Sequence, residues 1–195
     1  MNAPARRLLI LFASVGALIA GAPISSAQAD GVDGGTCNSS PLTQPFAPWG
    51  DTSSYELAPG GDFESSGWTL SNGAQVVSGS EPFAATGTLG ASSLSLPAGG
   101  SAVSPSTCVN AAYPTLRFFI AGTGTVLVQV VYNGKAIPTG LAFASGNWAP
   151  SPVLMTGGAI IGALSGGTAQ VALRLTALTG HPQVDDVFID PWNRS

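Results

Sequence analysis

The chain has 195 residues, 45% of them apolar and only 8% charged, with six Lys/Arg against ten Asp/Glu. Disorder needs low hydrophobicity with high charge, so this composition describes a folded protein. A net charge of −4 with no basic run argues against nucleic acid and against attachment to anionic lipid, since both ligands would be repelled.

The N-terminus has the three zones of a secretory signal. Arg6 and Arg7 supply the positive region, Leu8 to Ala22 an uncharged apolar core, and Ala27-Gln28-Ala29 the small residues a signal peptidase needs, with cleavage expected before Asp30. An apolar run of about 15 residues falls short of the roughly 20 that a spanning helix needs, and Pro23 breaks it. Residues 1–29 therefore read as a signal peptide, and the mature protein is expected to be secreted, with no membrane insertion. It would keep four basic residues against all ten acidic ones, a formal charge of −6.

Residues 30–61 read as an irregular lead-in, punctuated by Gly34-Gly35, Pro41, Pro45, Pro48, Pro59 and Gly60-Gly61 too densely for a helix. Phe46, Trp49 and Tyr55 are its apolar anchors. Cys37 and Cys108 are the only cysteines, and in an exported chain an isolated pair is expected to form a disulfide. Closing a loop of that length is worth about 4 kcal/mol in the chain-entropy model and would tie the lead-in to the body.

Residues 62–195 form the predicted domain, and its signal is period two. Ser92 to Leu96 alternates serine and leucine; Thr115–Ala121 and Val126–Tyr132 are two further strands, the second followed by the hairpin signal Asn133-Gly134. Gln170–Leu175 points Val171, Leu173 and Leu175 inward, and Val184–Ile189 closes the chain. Weaker strands fall near Trp68–Leu70, Gln75–Val77, Ala136–Phe143 and Pro152–Met155; Gly157–Gly167 is ambiguous between helix, strand and loop. Eight or nine short strands with Gly/Pro turns predict an all-β sandwich or barrel.

Two segments carry a resemblance. Gly61-Asp62-Phe63-Glu64 with Gly67-Trp68 resembles the opening of galactose-binding-like jelly rolls, which include many carbohydrate-binding modules of glycoside hydrolases. Val184-Asp185-Asp186-Val187-Phe188-Ile189 resembles their closing strand, Ser93-Leu94-Ser95-Leu96 sits where they have a serine–leucine strand, and Trp148 where they often have a tryptophan. The likeness covers residues 60–190 and implies a jelly-roll β-sandwich. The lead-in looks like that of secreted bacterial proteins to which no activity is attached.

The resemblance also implies a structural calcium, held by Glu64 with Asp185 or Asp186. Calcium takes hard oxygen ligands. On strand alternation the two aspartates point to opposite faces, so only one joins Glu64, with Asp62 assisting. The competing reading is a solvated turn whose carboxylates cap loop amides. Catalysis finds little support: His181 is the only histidine, in a predicted turn, and there is no Gly-x-Ser-x-Gly elbow. A glycosidase would need two carboxylates about 5–9 Å apart beside a cleft, and nothing marks such a pair. Sugar binding by stacking has Trp148, Tyr132 and Tyr113 as its candidate residues, with Trp49 a further one. Trp68 is expected in the core beside Phe63.

The expected protein is thus a secreted, non-catalytic jelly roll that binds glycans and is stabilised by calcium. The alternatives are a structural or protein-interaction module of the cell envelope and, more remotely, a glycoside hydrolase.

Overall fold

The computed structural model describes residues 41–110, 115–155 and 168–190. The signal region, Cys37 and with it the Cys37–Cys108 pairing, Tyr113, Gly157–Gly167 and Trp192 lie outside them. Ten strands are described: β1 Glu56–Leu57, β2 Thr69–Ser71, β3 Gln75–Ser78, β4 Ser92–Ser95, β5 Ser101–Val103, β6 Thr107–Asn110, β7 Thr115–Tyr132, β8 Lys135–Pro150, β9 Leu154–Met155 and β10 Thr168–Asp190. The four weaker strands of the sequence reading all form, as β2, β3, within β8, and β9. β1, β5 and β6 carried no usable pattern, being only two to four residues long.

The fold is a jelly-roll β-sandwich made by bending one antiparallel sheet over on itself. The sequence separated Thr115–Ala121 from Val126–Tyr132, and Gln170–Leu175 from Val184–Ile189, because Gly122, Gly124 and Gly180 interrupt the pattern. In the structure each pair is one strand, and β7 and β10 remain partners from Thr115↔Asp190 to Val131↔Ala172. Near the middle their backbones come very close: a Cβ on Gly124 would lie 2.0 Å from the Thr179 carbonyl oxygen, and one on Gly180 2.2 Å from that of Thr123. Both glycines have positive φ (121° and 71°), which bulkier residues rarely adopt. His181 therefore lies inside β10 at this bend, not in a turn between strands.

On one side of the bend β10 pairs with β4 and β1; on the other it pairs with β5 and β6. The two halves enclose one core, to which β7 contributes Leu116, Phe118 and Ile120 before the bend and Val126, Val128 and Val130 after it. Val171, Leu173 and Leu175 of β10 point into this core, as expected from alternation. Asn133-Gly134 makes the two-residue turn to β8, with both residues at positive φ.

From Pro41 on, the lead-in packs against the domain. After a short 3-10 turn at Ala47–Trp49 it pairs as β1 with the end of β10. Phe46, Tyr55, Phe119 and Phe188 form a second, fully buried core on the outer face of the sheet. Arg117 fastens the cover: Nη1 donates to Asp51 Oδ2 at 2.7 Å, Nε and Nη2 donate to the Ser151 carbonyl, and the guanidinium lies 4.5 Å from the Phe46 ring centroid. Tyr55 Oη also donates to Asp51 Oδ2 at 2.7 Å. Burial alone would raise the Asp51 carboxyl, but the hydrogen bonds from Tyr55 and Arg117 outweigh it and hold the group below its ordinary range.

Removing one member of such a buried pair strands the other charge, which costs about 3–5 kcal/mol. Arg117→Met is accordingly expected to lower the unfolding free energy by about that amount. Denaturant melts of Arg117→Met, Asp51→Asn and the double variant measure it; strictly additive losses would show that the pair does not act as a unit.

Candidate functional site

Beside the bend the outer face opens into a cavity of about 560 Å³, lined by Pro82, Phe83, Ala121, Gly122, Gly146, Asn147, Trp148, His181 and Gln183. A β-bulge creates it. Ile120 pairs with Ala149 and Gly122 with Gly146, so Asn147 and Trp148 together face the single residue Ala121. An extra residue re-aims the side chains of its strand, and here both inserted residues line the cavity. His181 and Gln183 enter from β10, and the Ser95 hydroxyl and His181 Nε2 are hydrogen-bonded at 2.9 Å.

The remaining wall is Phe83, and buried carboxylates position it. Ser80 Oγ and the Glu81 N–H both donate to Asp185 Oδ2, at 2.7 and 2.9 Å. The Glu81 carboxylate in turn accepts the N–H groups of Phe83 and of Ala85 (2.9 Å), fixing the loop that carries the ring. Glu81 is 1% exposed, and sequence reading gave it no role. Its partner is 104 residues away and no local pattern marks the pairing.

The aromatic candidates divide. Trp148 lines the cavity, half-buried, with one side against the second core. Tyr132 instead packs against the main core near the β7–β8 turn, away from the cavity. Trp49 is 38% exposed and meets Phe83 edge-on at 4.8 Å. Trp68 packs on Phe63 at 5.1 Å, as expected, and donates from Nε1 to the Pro59 carbonyl.

The carboxylates expected to hold calcium are placed as follows. Glu64 is exposed, and its Oε1 accepts the N–H groups of Ala91 (2.6 Å) and Ser92 (2.8 Å). Asp185 uses Oδ2 as above and Oδ1 for the Asp186 N–H. Among the described residues no three His, Cys, Asp or Glu side chains are grouped to hold a metal ion. Glu64 and Asp185 cap loop amides. Strand alternation also fails between the aspartates. Asp186 and Val187 face Phe118 alone in a second bulge, with Asp186 at φ 48°, and both aspartates are buried near Glu81.

This burial has an electrostatic signature. Burial pushes the Asp185 carboxyl up to about 6, against hydrogen bonds that favour its charged form. Burial, then the neighbouring Asp185 and Glu81 carboxylates, raise Asp186 well above the ordinary range.

No protein-family model matches the chain, and no curated protein matches it. Among solved structures it is similar to the CBM22-1–GH10 modules of Clostridium thermocellum endo-1,4-beta-D-xylanase 10B, with 14% identity and a TM-score of 0.45 over 72% of this chain and 28% of that one. It is similar to a family 6 carbohydrate-binding module at 10% identity and TM-score 0.42, over 63% of this chain and 86% of that one. A third is the enzymatically active domain of bacteriophage CBA120 tailspike protein 4, at 17% identity and TM-score 0.38, over 68% of this chain and 20% of that one.

A carboxyl whose folded pKa is raised ionises first in the unfolded chain. The stability it supports is complete below the ordinary value near 3.8 and is lost as pH rises through the folded value. The melting temperature is thus expected to fall between pH 5 and pH 8, and Asp186→Asn to flatten that fall. Thermal melts across this range check it; a parallel pH profile in the variant would contradict it.

Proposed function

We propose that the chain is exported and acts as a non-catalytic module that binds a glycan in the Trp148 cavity. One observation carries this reading: an indole and a phenyl ring share a single cavity with two amides and an imidazole. Sugars offer apolar C–H faces that stack on rings and hydroxyl edges that amides satisfy, and a mostly apolar pocket with a few convergent polar groups is the usual form of a ligand site. The lining contains no Asp or Glu, so a two-carboxylate glycosidase mechanism lacks its acid and base there. Export is supported by the N-terminal signal pattern, and among the described residues no helix is long and apolar enough to cross a membrane.

Trp148→Ala is expected to weaken oligosaccharide binding by about 2 kcal/mol, roughly thirtyfold. Calorimetry of the mature protein against xylo-, cello- and galacto-oligosaccharides tests this. Absence of heat from all three at millimolar concentration, or unchanged affinity in the variant, would remove the reading.

Calcium held by Glu64 with Asp185 or Asp186 belongs to this proposal, because a hard cation would offset the mutual repulsion of carboxylates that burial and their neighbours already disfavour as charged groups at Asp185 and Asp186. A melting temperature raised by millimolar calcium and lowered by chelator supports the ion. Indifference to both removes the ion from the proposal.

A protein-interaction module is the second reading, favoured by β8. Among the described residues this strand pairs only with β7, and it exposes Phe143 (63%) and Leu141 (40%). Such an edge is a template for another chain. Phe143→Lys would then abolish partner capture while leaving oligosaccharide binding untouched.

A further inference from the structure

Resting on the glycan-binding reading, we infer that the ligand is an oligosaccharide that runs from the Trp148 cavity over Phe83 onto Trp49. The irregular lead-in then supplies part of the binding surface. The cavity is open to solvent, with Pro82, Phe83, Gly146, Asn147 and His181 all exposed. A rim of this kind lets a longer chain continue past the unit seated against Trp148. Phe83 is the shared element, since it lines the cavity and also meets Trp49 edge-on at 4.8 Å.

Three part-exposed rings stand around one buried ring. Phe119 has no exposed surface. The Trp49 and Phe83 ring centroids lie 5.3 and 5.4 Å from its own, and Trp148 packs against the same cluster. Trp49 and Phe83 use part of their surface on Phe119 and on each other, yet 38% and 41% of it still faces solvent. The other rings of this layer, Phe46, Tyr55 and Phe188, are buried. Leaving aromatic surface wet forgoes the stabilisation that burial gives, and contiguous apolar surface beside a cavity marks a place of contact.

Both outer rings are held from behind. The Trp49 N–H donates to the Phe46 carbonyl at 2.9 Å, and Gly50 closes the turn at φ 83° with its N–H on the Ala47 carbonyl. Phe46 is itself buried, and Asp51, next in the chain, is fixed by Arg117. Phe83 is placed by the Glu81 carboxylate, which accepts its N–H and that of Ala85. A ring on a fixed backbone loses little freedom when a sugar stacks on it, so its contact area turns into affinity more fully than on a mobile loop. Trp49 lies outside residues 60–190, the span of the jelly-roll resemblance. The lead-in thereby sets the length of chain that the module prefers.

The test is a length series. Calorimetry of the mature protein is run with di- to hexasaccharides of the xylo-, cello- and galacto- series, beside Trp49→Leu and Trp148→Ala. Leucine keeps an apolar cover on Phe119 but offers no ring. In the series that binds, wild-type affinity is expected to rise about tenfold from disaccharide to tetrasaccharide. Trp49→Leu is expected to lose that rise while binding the disaccharide unchanged, whereas Trp148→Ala weakens every length. A measurement that needs no variant is oxidation of Trp49 by N-bromosuccinimide, read by peptide mass: the tetrasaccharide is expected to protect it and the disaccharide to leave it reactive. A wild-type affinity level from disaccharide to hexasaccharide overturns the inference while leaving glycan binding in place. So does an equal loss at every length in Trp49→Leu, the behaviour of a purely structural ring, or a Trp49 that the tetrasaccharide fails to protect. No binding at any length in all three series overturns the glycan reading itself.

Discussion

The structure depends on one close approach of backbone to backbone, where Gly124 of β7 meets Gly180 of β10. Neither position has room for a Cβ, because carbonyl oxygens lie 2.0 and 2.2 Å from where it would sit. This contact lets two long paired strands bend together without separating. A sheet that bends in this way buries one face against itself, which is why a single antiparallel sheet supplies both halves of the main core. The bend also offsets the strand registers. Leu178 is left over on β10 beside it, and the Asn147–Trp148 bulge answers it on β8. The cavity is thus a by-product of folding the sheet.

Bending leaves an outer face that must also be covered, since Phe119 and Phe188 point away from the main core. The lead-in performs this with aromatic rings, and it needs Arg117 because Asp51 would otherwise be a partly buried charge held only by Tyr55 and Ser53. Each nitrogen of the guanidinium donates one hydrogen bond, Nε and Nη2 to the Ser151 carbonyl and Nη1 to Asp51, with the flat face on Phe46. Satisfied in this way, a buried ion pair fixes position even where its net stabilisation is small. The cover ends at Trp49 and Phe83, and the open remainder of the face is the candidate site.

Strand content was legible in the sequence because it is local. Alternation in Gln170–Leu175 and the Asn133-Gly134 turn need only neighbouring residues to be read. Continuity through the bend was not legible, because glycines that usually end strands here allow two of them to stay paired. Of the aromatic candidates, Trp148 was found by type and position, but the reason it reaches a cavity is a register shift that no single strand displays. Tyr132 has the same composition-level credentials and lands against the core. Glu81, Phe83, Asn147 and Gln183 went unremarked since their roles exist only through partners on other strands or loops.

The acidic residues show where family resemblance and local chemistry part. The opening and closing motifs do lie close together: Gly61 N–H, Val187 and Ala58 are bound into one turn by backbone hydrogen bonds, with the Val187 carbonyl on Ala58 and the Gly61 carbonyl on Val187. Glu64 Oε1 and both Asp185 oxygens accept amide and hydroxyl donors from two loops, so these carboxylates do a structural job. That job is tied to the site. Asp185 holds Glu81, Glu81 holds the Phe83 amide, and Phe83 closes the cavity. The charge state of a buried aspartate at the end of β10 therefore bears on the shape of a pocket it does not line. A loop held by buried charge has fewer apolar contacts to fall back on than a strand in the core, so it is the first wall to loosen when that charge changes.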